Sequence, residues 1–319
     1  MELIQLHSFY QIVKTGSFKE ASEMVFRSQS AVSHQIKKLE KELKVKLFKR
    51  IGKRVRLTQE GEILFESTKK ILQSLENLKK IYTDMNNGFG GRLIIAATSA
   101  VLSYILPNTI KKFVDLFSKI NFKLITCRFV PEIISLVLVG EVDLAISVKP
   151  YQELPPQILF LPWRSFNRIL IVAKEHPLSK NKEINKLANI VKYPHILQGK
   201  GSVNRKVIDE VYARSKLVPN VIMEVDFVED IKSYVEMGIG VGIISSLSIS
   251  QKDRERFNIF NISRLFGKVE FGIYYRKDIY ISIAMKQFIK LFAPNLLKEG
   301  NELGDKKRVS WAGGVFVGG

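Results

Sequence analysis

From Ser28 to Lys38 the chain reads SQSAVSHQIKK, so Ser28, Gln29, Ser30, Ser33, His34, Gln35, Lys37 and Lys38 present hydroxyls, amides and ammonium groups on one short segment. Amides and hydroxyls at the start of a helix are the donors and acceptors that read base edges in a DNA major groove. Nearby lysines suit the flanking phosphates. Ser28 also reads as the cap of that helix. Lys49, Arg50, Lys53, Arg54 and Arg56 follow around Gly52, a density of cations that fits phosphate oxygens more than bases.

A second set consists of short hydroxyls at strand ends. Thr98 and Ser99 follow the apolar run Arg92 to Ala97, Ser147 ends a further apolar run, and Ser202 precedes a helix. Hydroxyls beside the backbone N–H groups of a helix start form an anion site, although the same residues also serve as caps. Val130 and Pro131 would line the opposite wall, while Phe166 and Asn167, near the lobe crossing, read equally as wall or as hinge packing. No catalytic set emerges. His7, His34, His176 and His195 are scattered, with no carboxylate or cysteine at ligand spacing, which argues against a metal centre and histidine-based catalysis. Gly238, Gly240 and Gly242 leave a helix and enter a strand, the reverse of a dinucleotide loop, and read as structural.

These groups need elements to hold them. Leu3, Leu6, Phe9, Tyr10 and Val13 recur at helical spacing until Gly16. Ser17 and Glu20 form a capping-box pattern for a second helix ending near Phe26, and Ala31, Val32, Ile36, Leu39 and Leu43 make the buried stripe of a third. Two short helices on a tight connection, followed by a basic hairpin from Leu47 to Leu57, describe a winged helix-turn-helix over residues 1–58. From Thr58 a long linker helix runs to residue 87, with Leu64, Thr68, Ile71, Leu75, Leu78, Tyr82 and Met85 spaced as a heptad seam. Such a seam predicts a homodimer; packing on its own chain is the alternative.

Residues 88–91 read as a hinge. Strand and helix then alternate from residue 92 to 297: Arg92–Ala97, Ile105–Ser118, Phe122–Cys127, Pro131–Val139 and Asp143–Val148 make a βαβαβ unit, hence a parallel sheet. Strands at Ile169–Ala173, Val221–Val225 and Val241–Ile244, with helices at Val203–Tyr212 and Phe227–Met237, imply a second lobe. Val269–Tyr275 and Ile283–Phe292 return the chain to the first. The expected fold class is α+β in two domains: the winged helix-turn-helix with its linker helix, then a two-lobed α/β effector domain like the periplasmic binding proteins. Lobe 1 covers about 92–162 and 266–297, lobe 2 about 163–265. The polar, Gly-rich tail 298–319 is expected to be disordered.

Charge agrees with this division. The chain carries 50 Lys and Arg against 31 Asp and Glu, a formal +19, and residues 1–58 hold 13 against 5. A polyanion is the leading partner of that segment. The single cysteine, Cys127, rules out an internal disulfide, and with the lack of a secretion signal in MELIQLHSFY it points to the cytoplasm and away from a membrane. A solute-binding protein would share the two lobes, but the basic N-terminal segment opposes that reading.

The stretch SFKEASEMVFRSQSAVSHQIKKLEKELKVKLFKRIGKRVRLTQEG, residues 17–61, resembles the helix-turn-helix signature of the LysR-type transcriptional regulators. Ala21, Ser28, Gln29, Ser30, Ser33, Ile36, Leu39, Glu40, Leu47, Phe48, Arg50, Leu57, Thr58 and Gly61 carry the match; Lys44 departs from a frequent glycine. Residues 91–107, 140–146 and YVEMGIGVGIISS resemble the effector domain of that family. The resemblance implies double-stranded operator DNA as partner, a dimer assembling to a tetramer, RNA polymerase at the promoter, a small-molecule co-inducer and no other cofactor. Within the family, RLIIAATSAVLSYILP, LPWRSFNRILIVAKEHPL and KLFAPNL look most like the CysB-like regulators of sulfur assimilation. That likeness implies a sulfate-like anion or an acetylated serine as effector, held at Thr98 and Ser99. Ala100 and Val101 stand where that subgroup has further polar residues, which implies a less polar pocket.

Overall fold

The computed structural model describes residues 1–51, 54–87, 91–180, 184 and 186–297. The chain divides into two compact units, residues 1–82 and 83–319.

The first unit contains α1 (Leu3–Thr15), α2 (Phe18–Met24), α3 (Gln29–Leu43), the hairpin β1 (Phe48–Ile51) and β2 (Arg54–Leu57), and most of α4 (Gln59–Asn87). Gly16 closes α1 with φ +68, a conformation that costs glycine little, and the Ser17 hydroxyl accepts the Glu20 amide to start α2. Phe9, Ile12, Ala21, Val32, Ile36, Leu39 and Leu47 form the core, and Phe9, Phe18, Phe48 and Phe65 add tilted and edge-on ring contacts. The three helices and the hairpin form the expected winged helix-turn-helix.

The second unit is built on two five-stranded sheets. Its first lobe contains β3 (Gly91–Thr98), α5 (Ser99–Tyr104), α6 (Leu106–Leu116), β4 (Ile120–Cys127), α7 (Val130–Leu138), β5 (Leu144–Val148) and β6 (Ile158–Phe166). The second lobe contains β7 (Arg168–Ala173), α8 (Leu187–Ile190), β8 (His195–Gln198), α9 (Val203–Arg214), β9 (Val221–Val225), α10 (Val228–Glu236), β10 (Val241–Ser245), α11 (Gln251–Arg256), β11 (Phe257–Asn261) and α12 (Ser263–Phe266). The chain then returns through β12 (Val269–Arg276) and α13 (Ile283–Phe292).

Strand order is β4-β3-β5-β12-β6 in the first sheet and β11-β7-β10-β8-β9 in the second. In each, three strands are parallel, β4, β3 and β5 or β9, β8 and β10, and the remaining two run antiparallel to their neighbours. Both sheets are therefore mixed, where the βαβαβ pattern alone predicted a parallel one: the returning β12 pairs antiparallel with β5 and β6.

Three strands lacked a sequence signal. β6 contains Pro162, which a central strand excludes; it lies on the sheet edge, opposite Gly272, where the ladder shifts register. β8 is only four residues long, and β11 is an edge strand. The expected helix Ile105–Ser118 is α6, preceded by a separate α5 that turns directly off β3. The first lobe crossing falls after Phe166 rather than near 162, because β6 stays in the first sheet to that residue. Of the expected hinge 88–91, Gly91 already opens β3, paired with Ile120, while residues 88–90 and the tail 298–319 lie outside the described residues.

Candidate nucleic-acid interface and ligand cleft

Helix α3 presents the first candidate site. Ser28 is its cap: the hydroxyl accepts the Ala31 amide at 3.2 Å and lies 3.0 Å from the Ser30 hydroxyl. Gln29, Ser30, His34 and Lys37 are exposed and Ser33 is half-buried, while Val32, Ile36 and Leu39 point into the core. Two expected contact residues are engaged inside the unit. The buried Ser8 hydroxyl donates to Gln35 Oε1 at 2.6 Å, tying α1 to α3, and Lys38 pairs with Glu2 at 2.7 Å. In the hairpin Lys49 and Arg56 face each other in register and both are exposed. In the same ladder the backbone of Arg50 lies opposite Val55 and that of Arg54 opposite Ile51, but the side chains of both arginines, and Lys53 entirely, lie outside the described residues.

The second site follows from the topology of the two lobes. Order β4-β3-β5 makes the gap between the C-terminal ends of β3 and β5 a switch point, and order β10-β8-β9 does the same for β8 and β10. Ligands of open α/β sheets collect at such ends because the connecting chains diverge there. Thr98, Val148, Gln198 and Ser245, the last residues of those four strands, all line one cavity of about 70 Å³ between the lobes. That is room for on the order of five waters.

The first turns of α5, α7, α9 and α10 also end on this cavity, through Ser99 and Ala100, Val130, Val203 and Asn204, and Val228. The N-cap residues Thr98, Phe129 and Phe227 make no side-chain cap bond, which leaves first-turn amides of α5 and α10 to a ligand oxygen; α7 offers fewer, since Pro131 has no N–H and the Glu132 amide donates to Phe129 O. At α9 the Ser202 hydroxyl accepts the Asn204 amide at 3.1 Å and donates to Gln198 Oε1 at 3.1 Å. Ser248 adds a hydroxyl, while Val269 and Phe271 give an apolar floor.

Side chains bridge the lobes at the rim. Arg128 pairs with Asp226 at 3.3 Å, and the Phe129 ring lies against Gly201, where a Cβ would stand 2.8 Å from it. Tyr104 donates to Glu229 at 2.5 Å and accepts from Lys232 at 2.6 Å. Lys232 is buried and also bonds Asp253 at 3.0 Å. Burial alone would lower its pKa, but Tyr104 and Asp253 as acceptors hold it above the ordinary lysine value.

Of the expected ligand residues, Thr98, Ser99, Ala100, Val130 and Ser202 meet at the cavity. Val101 does not; it turns into the first-lobe core because it lies one position further along α5. Ser147 is fully buried in β5 without a hydrogen-bond partner, and the next residue, Val148, takes the wall position. Sequence reasoning missed Phe129, Gln198, Asn204, Asp226, Ser245 and Ser248. The glycines Gly199 and Gly201 beside Ser202 were a usable signal for close approach of another segment. Gly240 and Gly242 are structural: a Cβ at either would come within 2.6 Å of Pro194 O or Ile231 Cγ2. Among the described residues no group of His, Cys, Asp and Glu is placed to hold a metal, and no helix is long and apolar enough to cross a membrane.

Residues 3–62 match the family model for the bacterial regulatory helix-turn-helix protein, lysR family, and residues 86–296 match the LysR substrate binding domain. The chain is 30% identical to the transcriptional regulator SsuR of Burkholderia cenocepacia over 298 residues, covering 93% of this chain and 96% of that protein. It is also 30% identical to CysB of the same organism, covering 93% and 94%. Among solved structures, the cofactor-binding domain of the Cbl transcriptional regulator superposes with a TM-score of 0.61 at 27% identity, over 66% of this chain and 91% of that one.

Proposed function

Since this chain belongs to the LysR family of DNA-binding transcriptional regulators, we propose that its cleft takes a small anionic effector of sulfur metabolism, an acetylated serine or a sulfate-like ion. The observation that carries this reading is the convergence of four helix starts and five hydroxyls, Thr98, Ser99, Ser202, Ser245 and Ser248, on one small cavity. Such a site favours negative charge. Ala100, Val130, Val203 and Val228 on the wall favour an organic anion over bare sulfate.

In this reading Gln29, Ser30, Ser33 and His34 reach base edges, and Lys37, Lys49 and Arg56, with Arg50, Lys53 and Arg54, hold phosphates. A homodimer joined along α4, assembling further to a tetramer, places recognition helices in successive major grooves, and RNA polymerase is the partner at the promoter. Effector binding shifts the equilibrium between lobe arrangements only by as much as it binds one more tightly than the other. Contacts from both lobes meet that condition.

The test is calorimetric titration of the full chain with sulfate, thiosulfate, N-acetylserine and O-acetylserine. Saturable heat from any of them supports the sulfur reading. Absence of heat from all four removes it and leaves a LysR-type regulator of another pathway.

A further inference from the structure

Arg168 opens β7, immediately after the chain has crossed into the second lobe, and is 2% exposed. No carboxylate answers it among the described residues. Its Nε donates to Asn204 Oδ1 at 2.9 Å, and its Nη1 donates to the main-chain carbonyl of Phe266. Every acceptor around this guanidinium is thus an uncharged group. Burial holds its pKa at about 10, well below the ordinary arginine range. A cation taken out of water without a counter-charge is costly, so a chain that keeps one is expected to meet an anion nearby.

Asn204 connects this charge to the ligand cleft, whose wall it lines. Its amide is fixed from both ends, since Oδ1 accepts from Arg168 while Nδ2 donates to Ile243 O at 2.9 Å. The guanidinium therefore stands one side chain behind the wall. The charged residues of the wall itself, Arg128 and Asp226, pair with each other and leave no net charge there.

We propose that Arg168 is the buried counter-charge for an anionic effector, a positioning residue that acts through Asn204 and makes the cleft electrostatically positive. This rests on the reading of the cleft as the effector site. It adds that anion selectivity comes from a charge that no ligand touches. The same guanidinium binds the carbonyl of Phe266, where the chain crosses back to the first lobe, so the charge that senses the anion also holds the crossing.

The cleft potential can be read without any ligand by a thiol on its wall. In the full chain carrying Cys127→Ala and Ala100→Cys, the thiol pKa is measured from thiolate absorbance against pH, and again with Arg168→Met, Arg168→Gln or Arg168→Lys added. Met and Gln are expected to raise it by about one unit, a tenfold loss of thiolate at fixed pH, whereas Lys leaves it nearly unchanged. Sulfate and N-acetylserine affinities, in the chain without the thiol, are expected to fall at least tenfold with Met and Gln and less with Lys. Near-UV circular dichroism identifies variants that fold; Gln keeps an amide donor toward Phe266 and serves where Met does not fold. A thiol pKa that stays put in the folded neutral variant overturns the proposal. So does an equal rise with Lys, since packing and not charge would then be responsible. A thiol that shifts as expected in a protein that binds neither anion upholds the positive cleft and removes the sulfur-anion reading instead.

Discussion

Single residues explain why the N-terminal signature has the composition it does. Glu40 Oε1 accepts the Leu47 amide at 2.9 Å, and the Thr58 hydroxyl donates to Lys46 O at 2.6 Å while accepting the Gly61 amide at 3.0 Å. Gly61 has no alternative, since a Cβ there would run into the Leu47 carbonyl. In the second unit His195 is fully buried, with its ring nitrogens at 2.7 Å from Tyr193 O and 2.8 Å from the Tyr212 hydroxyl. Burial holds its pKa below the ordinary imidazole value. The unfolded chain therefore binds a proton that the folded one refuses. Stability is full above about pH 6.5 and is lost as pH falls from there toward the depressed folded value. Thermal melting between pH 5 and 8 should show that slope, and His195→Gln should reduce it. His176, also held low by burial, keeps part of it.

At the scale of elements, the proposed function divides DNA binding between α3 and the wing. Gln29→Ala, at the exposed start of α3, should relax preference at one base position by about 1–3 kcal/mol with little effect on random DNA. Arg56→Ala, in the hairpin, should weaken binding to all sequences and reduce the salt slope by about one. Binding to operator and random duplexes over a salt series checks both, and equal losses from the two variants would contradict the division. Helix α4 carries exposed Ile71, Leu78, Tyr82 and Met85, with Leu78 at 49% and Met85 at 73% exposure. In the proposed dimer this uncovered stripe forms the coiled-coil seam, although Leu64 and Thr68, expected on it, are covered within the chain itself. Leu78→Glu is expected to halve the mass seen in sedimentation and to abolish operator binding at nanomolar protein; an unchanged mass would place the dimer contact elsewhere.

For the whole effector-binding unit, the balance lies in how firmly the lobes are held together. Tyr104 begins in the first lobe at the end of α5 and reaches Glu229 and Lys232 on α10, while Thr98 and Ser99 at the other end of α5 face the cavity. Occupancy of the cleft and the lobe bridge therefore share one short helix. Tyr104→Phe removes both hydrogen bonds and leaves the buried Lys232 with Asp253 and Glu229. Its expected outcome is several-fold weaker effector binding with unchanged affinity for DNA in the absence of effector, measured by calorimetry and fluorescence anisotropy. Equal affinity for effector would mean that the bridge does not follow occupancy.

What could be read from the amino-acid string alone was whatever depends on neighbours in sequence. The capped helices around Gly16, Ser17 and Ser28, the basic hairpin, the long helix α4 and the βαβαβ order all rest on local periodicity, and Thr98, Ser99 and Ser202 were legible as hydroxyls beside helix starts. Tertiary structure decided what depends on segments far apart. Edge strand β6 tolerates Pro162 only because of its place in the sheet, Gln35 turns away from the outer face of α3 because Ser8 lies opposite, and Val148 rather than Ser147 reaches the cleft because a strand alternates its faces. Arg168 shows the limit most plainly. Its lack of a carboxylate, and its place behind Asn204, exist only once residues from 168 to 266 have folded around it.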